Sequence, residues 1–131
     1  MPLSSVREGC LELRVGEASV VLRYRRPTAE EMLQSLAMKV PGPDSKNPAL
    51  DLLRGNLELG SACLLGVGPG DLMVDEGGSA DPPRAIGSDP DSPEYRADWK
   101  EEVRQFFPTL LVALGQHLSQ IPAASQERKK K

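Results

Sequence analysis

Residues 11–24 read LELRVGEASVVLRY, and this stretch decides how the fold begins. Apolar and polar residues alternate on both sides of Gly16-Glu17, which is the period of β-strands. If Gly16-Glu17 forms a two-residue turn, apolar residues face each other across a hairpin, in the pairs Val15 with Ala18, Leu13 with Val20 and Leu11 with Leu22. A slip of one residue would turn one apolar set to the opposite face. The stretch therefore predicts an antiparallel hairpin in this register.

The other face of the hairpin is more polar, and basic residues are dense at its open end. This face would carry Glu12, Arg14, Ser19, Val21 and Arg23. We expect it to meet solvent or a partner. Arginines of this kind can bind a phosphate group or an acidic partner, although charges at strand ends also discourage unwanted strand pairing. The candidate partner-binding residues are Arg14, Arg23, Arg25 and Arg26.

A helix should follow the hairpin directly. Pro27 ends the strand, and Thr28 with Glu31 three residues later has the pattern of a capping box. Apolar residues then recur at three- and four-residue spacing, at Ala29, Met32, Leu33, Leu36, Ala37 and Val40. This stripe is typical of a helix with one buried face. We expect it to pack against the hairpin and the helix to end at Pro41-Gly42-Pro43.

Asn47-Pro48 predicts the start of a second helix, because Asn caps helices well and Pro is tolerated at the first helical position. The helix could extend to about Leu65. One flank would carry Leu50, Leu53, Leu57 and Leu64, and the buried surface would be widened by Ala49, Leu52, Gly60 and Cys63. Glycine in a helix interior costs roughly 1 kcal/mol relative to alanine. Gly55 and Gly60 therefore indicate either close approach of another backbone or a local break.

Residues 71–92 form the longest predicted loop, acidic and rich in Gly, Pro, Ser and Asp. A last helical segment begins at Ser92-Pro93 and should bury an aromatic edge made of Tyr95, Trp99, Val103 and Phe106. Pro108 either kinks this segment or starts a new helix, since proline removes a backbone donor. A second apolar stripe then contains Phe107, Leu110, Leu111, Leu114, Leu118 and Ile121.

Length and composition favour one α+β domain over residues 1–124, followed by a flexible basic tail at 125–131. A chain of 131 residues is too short for two independent cores. The predicted hairpin packs on three to four helices. Cys10 and Cys63 are too few for a disulfide framework. The N-terminus lacks a secretion leader and no apolar run reaches membrane-spanning length, so we expect a cytoplasmic protein that does not enter a membrane.

No set of residues has the spacing of a known active site, and we expect neither catalysis nor a cofactor. His117 is the single histidine and has no nucleophile or carboxylate near it in sequence. The glycine-rich residues 66–70 lack the lysine of a Walker loop. The acidic residues of the predicted loop do not have the spacing of an EF-hand. They are Asp71, Asp75, Glu76, Asp81, Asp89 and Asp91. We therefore predict no metal site. The net charge of −3 argues against nucleic acid as the main partner.

The stretch from Leu11 to Val40, a short hairpin running into Arg26-Pro27-Thr28-Ala29-Glu30-Glu31 and an amphipathic helix, resembles the opening of the small tail assembly chaperones of tailed phages and prophages. The resemblance covers about the first third of the chain. It implies a protein without a cofactor that keeps the long helical tape-measure protein soluble and helps to recruit tail-tube subunits. Apolar stripes on the predicted helices are compatible with binding a partner helix.

Two other functions stay open at the level of sequence. One is a self-associating structural subunit, whose exposed hairpin edge pairs with a neighbour. The other is a small bacterial domain with a ligand pocket or an enzymatic activity that uses Arg23, Tyr24 or His117. The partner's identity, the oligomeric state, the course of residues 71–92 and the role of the basic tail are not determined by the sequence.

Overall fold

A computed structural model describes residues 8–75 and 83–120. These residues form five strands and four helices: β1 (Glu8–Val15), β2 (Ala18–Arg25), α1 (Ala29–Lys39), α2 (Pro48–Cys63), β3 (Leu64–Val67), β4 (Met73–Val74), β5 (Arg84–Ala85), α3 (Trp99–Phe106) and α4 (Pro108–Gln120). The expected α+β class is confirmed, with an antiparallel hairpin at the start and four helices. The predicted basic tail lies outside the described residues.

The hairpin has the register that the alternating pattern predicts. Val15 lies opposite Ala18, Leu13 opposite Val20 and Leu11 opposite Leu22. Gly16 takes a φ of 63° at the first turn position, as a type II′ turn requires. Val20 and Leu22 are buried, and Leu11 and Leu13 pack partly on the same core.

The sheet contains a third strand that the sequence did not indicate. β3 pairs antiparallel with β2, which gives the order β1-β2-β3, with a register shift between Arg23 and Tyr24. The second helix therefore ends at Cys63 and does not continue to Leu65 as expected. Two further elements, β4 and β5, pair inside the stretch predicted as a loop. Residues 76–82 of that stretch lie outside the described part.

Two of the three predicted helix starts are confirmed by their hydrogen bonds; the third is wrong, since the last helical segment begins at Trp99 and not at Ser92-Pro93. The Thr28 hydroxyl accepts from the Glu31 amide at 3.1 Å, and the Glu31 carboxylate accepts from the Thr28 amide at 2.8 Å. Asn47 Oδ1 accepts from the Leu50 amide at 3.2 Å, with Pro48 in the first turn of α2. These caps satisfy amides that a helix start leaves without partners.

The apolar stripe of α1 does not pack on the hairpin in the way we expected. α1 lies against α2, and the buried Ser35 hydroxyl donates to the Gly55 carbonyl at 3.1 Å. Met32 packs partly on the core, but Leu33, Leu36 and Val40 are exposed. A repeating apolar pattern shows that a helix has an apolar side, and it does not show that another element covers that side.

The contact between α2 and α4 is made by small residues. A Cβ atom on Gly60 would overlap the carbonyl oxygen of Leu111, and one on Gly115 would lie 2.6 Å from the carbonyl carbon of Asn56. Gly55 approaches α1, where a Cβ would lie 3.0 Å from the Ser35 carbonyl oxygen. Close approach of neighbouring backbones therefore explains both glycines of α2. The expected leucine flank is wrong in part, since Leu50 and Leu53 are exposed, and Leu52, which was expected to widen the buried surface, is exposed as well.

Pro108 separates the last two helices. α3 ends at Phe106, and Pro108 is the first residue of α4. The expected aromatic edge is only partly buried: Val103 is buried and Trp99 half-buried, but Tyr95 and Phe106 are exposed. The core gathers around α4 and the inner sheet face, with Leu22, Cys63, Leu64, Ile86, Val103, Leu111, Leu114 and Leu118 all at most 1% exposed.

Candidate functional site

The four candidate arginines do not form one cluster. Arg14 and Arg23 are exposed on the outer face of the sheet, where they lie opposite Ser19 and Cys10. Cys10 is four residues from Arg14 along β1, so the two arginines are separated by roughly 13 Å along the strands. Neither guanidinium bonds to another residue of the described part. Both are therefore available to a partner, as separate charges.

Arg25 is bound within the protein. Its guanidinium donates to both oxygens of the Glu31 carboxylate, at 2.8 and 2.7 Å, and to the Ala62 carbonyl at 2.9 Å. The arrangement joins the end of β2 to the start of α1 and the end of α2. Arg25 also donates to the carbonyl of half-buried Arg26. These bonds give Arg25 a structural role.

The Arg25–Glu31 pair shifts the titration of both groups. The hydrogen bond from Arg25 is the largest cause that lowers the pKa of Glu31, from 4.5 to about 2, and the bond from Thr28 adds to it. The same bond raises the pKa of Arg25. Nearby Lys100 has a lowered pKa, mainly because it is partly desolvated. Glu31 therefore remains ionised at any ordinary pH and works as an anchor, not as a proton donor.

The outer sheet face borders a cleft of about 350 Å³. Arg23 and Cys10 lie on the strand side, and Gly66, Ser88 and Asp89 complete the walls. The Ser88 hydroxyl is occupied by the edge of β3, since it accepts from the Val67 amide at 3.0 Å. The cleft thus holds a guanidinium and a carboxylate, which carry opposite charges, and a thiol, and its lining includes no imidazole to activate a nucleophile.

Tyr24 and His117, which are 93 residues apart, meet on the inner side of the sheet. The phenol oxygen is 3.3 Å from His117 Nε2, and the rings are edge to face with centroids 5.6 Å apart. Tyr24 is the one hydrogen-bond partner of the His117 side chain in the described part. Arg23, the third residue of the enzymatic alternative, is on the outer face. The structure therefore does not bring these three residues into one pocket.

Several other charged and metal-ligating groups have structural surroundings. Asp71 accepts from the Val21 amide at 2.9 Å, and Asp89 from the Asp91 amide at 2.9 Å. Glu102 is buried and pairs with Arg84, which lowers the pKa of its carboxyl group. Burial raises the pKa of the Cys63 thiol to about 11. Within residues 8–75 and 83–120, no three acidic, His or Cys residues are grouped as a metal site.

The largest unexplained feature is the apolar surface of α1 and α2. Leu33 and Leu36 lie on one side of α1 and Val40 caps its C-terminus, and their side chains are 66%, 51% and 69% exposed. Leu50, Leu52 and Leu53 on the first turns of α2 are also exposed. We call these six residues the apolar helical surface. The helical spacing of these residues predicted that they belong to the core, but their exposure depends on how α1 packs on α2.

A separate groove lies between α1 and α2, on the side of α1 away from Leu33 and Leu36. It has a volume of about 280 Å³ and lies between Gln34 and Met38 of α1 and Leu59 and Ala62 of α2. Glu31 and Glu58 also line it, and each is paired with an arginine, Arg25 or Arg104. A groove lined by both polar and apolar side chains is the kind of site that binds a peptide or a helix.

The fold and these surfaces define a small α+β domain with an exposed apolar helical hairpin. The chain matches no protein-family model, and comparisons with curated proteins and with solved structures gave no significant match. None of the described helices has both the length and the apolar character that crossing a bilayer requires.

Proposed function

We propose that this protein is a non-catalytic assembly factor that binds an amphipathic helix of another protein on its apolar helical surface. The observation that carries the proposal is the exposure of Leu33, Leu36 and Val40. They repeat at three- and four-residue spacing, which is the spacing of the anchors by which two helices pack together. A partner helix with the same spacing would fit against them.

The energetics favour a partner of this kind. Burying a leucine or valine side chain contributes about 1.5–3 kcal/mol. Covering the exposed parts of three such side chains would contribute roughly 3–5 kcal/mol before the cost of association. Seven of the large apolar side chains that are exposed in the described part lie between Leu33 and Leu53. Such a concentration of exposed apolar side chains is typical of an interaction surface.

The partner suggested by the resemblance to tail assembly chaperones is a long helical tape-measure protein. Before assembly such a protein would expose apolar stripes, and a small domain that covers one stripe would keep it in solution. A cytoplasmic location belongs to the same proposal. It is supported by the two free cysteines, Cys10 and Cys63, because a reducing compartment keeps thiols free.

Co-expression with a long helical protein encoded beside this chain tests the proposal. The intact domain should increase the soluble fraction of that protein, and the Leu33→Glu/Leu36→Glu variant should not. Met73→Glu is the matched control, because Met73 is 48% exposed but lies on β4. An unchanged soluble fraction with the intact domain, or equal effects of the helix variant and the control, would contradict the proposal.

A further inference from the structure

The outer edge of β1 has backbone groups that are free to pair. In the described part no strand lies beyond β1, which is the edge of the three-stranded sheet. The Val21 amide donates to Asp71, and the Val21 carbonyl accepts from the Gly68 amide at 2.9 Å, so both groups point away from β1. Glu12 is opposite Val21. Since hydrogen-bonded and non-hydrogen-bonded pairs alternate, Glu12 directs its own amide and carbonyl outward.

The two neighbours of Glu12 on the same face follow the same alternation. Cys10 and Arg14 also direct their backbone groups to the free edge. The other edge of the sheet is different: the amide of Val67 in β3 donates to the Ser88 hydroxyl, and the Val67 carbonyl accepts from that hydroxyl at 3.4 Å. One edge is therefore closed by a side chain, and the other is open.

The residue pattern of the open edge is complementary to the same edge of a second copy. In the sequence Leu11-Glu12-Leu13-Arg14-Val15, Leu13 is the centre, opposite charges flank it, and apolar residues flank the charges. We propose that two copies of the chain pair through their β1 strands, antiparallel and around a two-fold axis at Leu13. Glu12 of each copy then lies opposite Arg14 of the other, and Leu11 opposite Val15.

Three observations support this register. The Glu12–Arg14 pairs join residues whose backbone groups point outward, as a hydrogen-bonded pair requires. Neither residue has an ion-pair partner in the described part of the chain. Val15 is 57% exposed and becomes covered by Leu11 of the second copy. Moving the axis to Glu12 would place the two Glu12 carboxylates opposite each other, which is unfavourable.

Charge reversal with a double swap tests the inference. Sedimentation of the full chain over a concentration series should show a monomer–dimer equilibrium. Arg14→Glu and Glu12→Arg should each weaken dimerisation by about tenfold or more, because both cross-strand pairs become repulsive. The double variant Glu12→Arg/Arg14→Glu should recover it. Both side chains are exposed, so we expect the variants to keep the fold, which circular dichroism checks.

A cross-linking experiment gives a second measurement of the register. In a Cys10→Ser background, Leu13→Cys should form a disulfide between two copies under mild oxidation, because the Cα atoms of such a central pair lie about 4.5 Å apart. Val15→Cys is the matched control and should not cross-link, since the two positions lie several residues apart across the axis.

Three results would overturn the inference. The first is a monomer at every concentration, and the second is a dimer that the single reversals leave unchanged or that the double swap does not recover. The third is a dimer that is lost in the Leu33→Glu/Leu36→Glu variant and kept in Arg14→Glu, which would assign self-association to the apolar helical surface. Helix binding uses that other surface, so each proposal can fail without the other.

Discussion

Gly60 of α2 and Leu111 of α4 touch backbone to backbone, without room for a Cβ atom between them. Gly115 makes the reciprocal contact with Asn56. We expect Gly60→Ala to destabilise the protein by about 1–3 kcal/mol, because overpacking outweighs the gain in helix propensity of roughly 1 kcal/mol. Urea denaturation measures the free energy of unfolding.

Gly42→Ala is the control for this substitution. Gly42 is exposed, and a Cβ there would meet no atom within 4 Å. Its effect should stay within about 0.5 kcal/mol. Equal stabilities of the wild type, Gly60→Ala and Gly42→Ala would show that the two helices can move apart at little cost.

The Arg25–Glu31 pair makes the free energy of unfolding depend on pH in the acid range. Because the pKa of Glu31 is lowered to about 2 from 4.5, its contribution is present above pH 4.5 and is lost as the pH falls through about 2. Glu31→Gln should cost about 1 kcal/mol at pH 7, since it weakens the cap and removes the ion pair. The difference from the wild type should shrink towards pH 2 in denaturation curves.

Glu30→Gln is the matched control for Glu31→Gln. Glu30 is exposed in the same first turn of α1, so it has a similar position relative to the helix dipole. A variant at Glu30 that loses as much stability with the same pH dependence would show that the Arg25 contact contributes little.

The two cysteines should differ strongly in reactivity. Cys10 is exposed, whereas Cys63 is buried and its thiol has a pKa raised to about 11. Thiolates are the reactive form, so alkylation at pH 8 should modify one thiol in the native protein and two in denaturant. Mass spectrometry of the alkylated peptides identifies the sites. Rapid native labelling of Cys63 would contradict its buried position.

Tyr24 lies over Gly9 and needs the space that glycine leaves. A Cβ on Gly9 would lie 2.6 Å from the Tyr24 phenol oxygen. Gly9→Ala should therefore displace the ring and weaken the contact with His117, with a cost of about 1–3 kcal/mol. Tyr24→Phe should cost about 0.5–1.5 kcal/mol through the lost hydrogen bond. NMR shifts of the His117 ring report the contact, and an unchanged ring spectrum in both variants would refute it.

Local features of the sequence predicted local features of the fold. The hairpin register, the Thr28–Glu31 cap and the Asn47 cap depend on residues a few positions apart, and all three are confirmed. The pairing of β3 with β2 could not be predicted from residues a few positions apart. Leu64 continues the apolar spacing of α2, and strand pairing over some forty residues leaves no local pattern.

The candidate site was harder to predict for the same reason. The apolar positions of α1 were visible, but their exposure follows from α1 packing on α2 through Ser35 and not through its leucine stripe. The closest contacts of α2 with α1 and α4 are made at Gly55 and Gly60, beside the buried Leu59 and Cys63. The Tyr24–His117 contact joins the sheet to the last helix and has no signature in either segment.

The Ser88 side chain, which bonds to Val67 of β3, limits how far the three-stranded sheet of this protein can grow. Backbone pairing at β1 would occupy the open edge of the three-stranded sheet in each of two copies, and the outer edges of the joined sheet in the described part would both be the ones that Ser88 blocks. Growth of the joined sheet would therefore stop at a dimer. A Ser88→Gly variant should remove this stop and turn a finite assembly into one that lengthens into fibres.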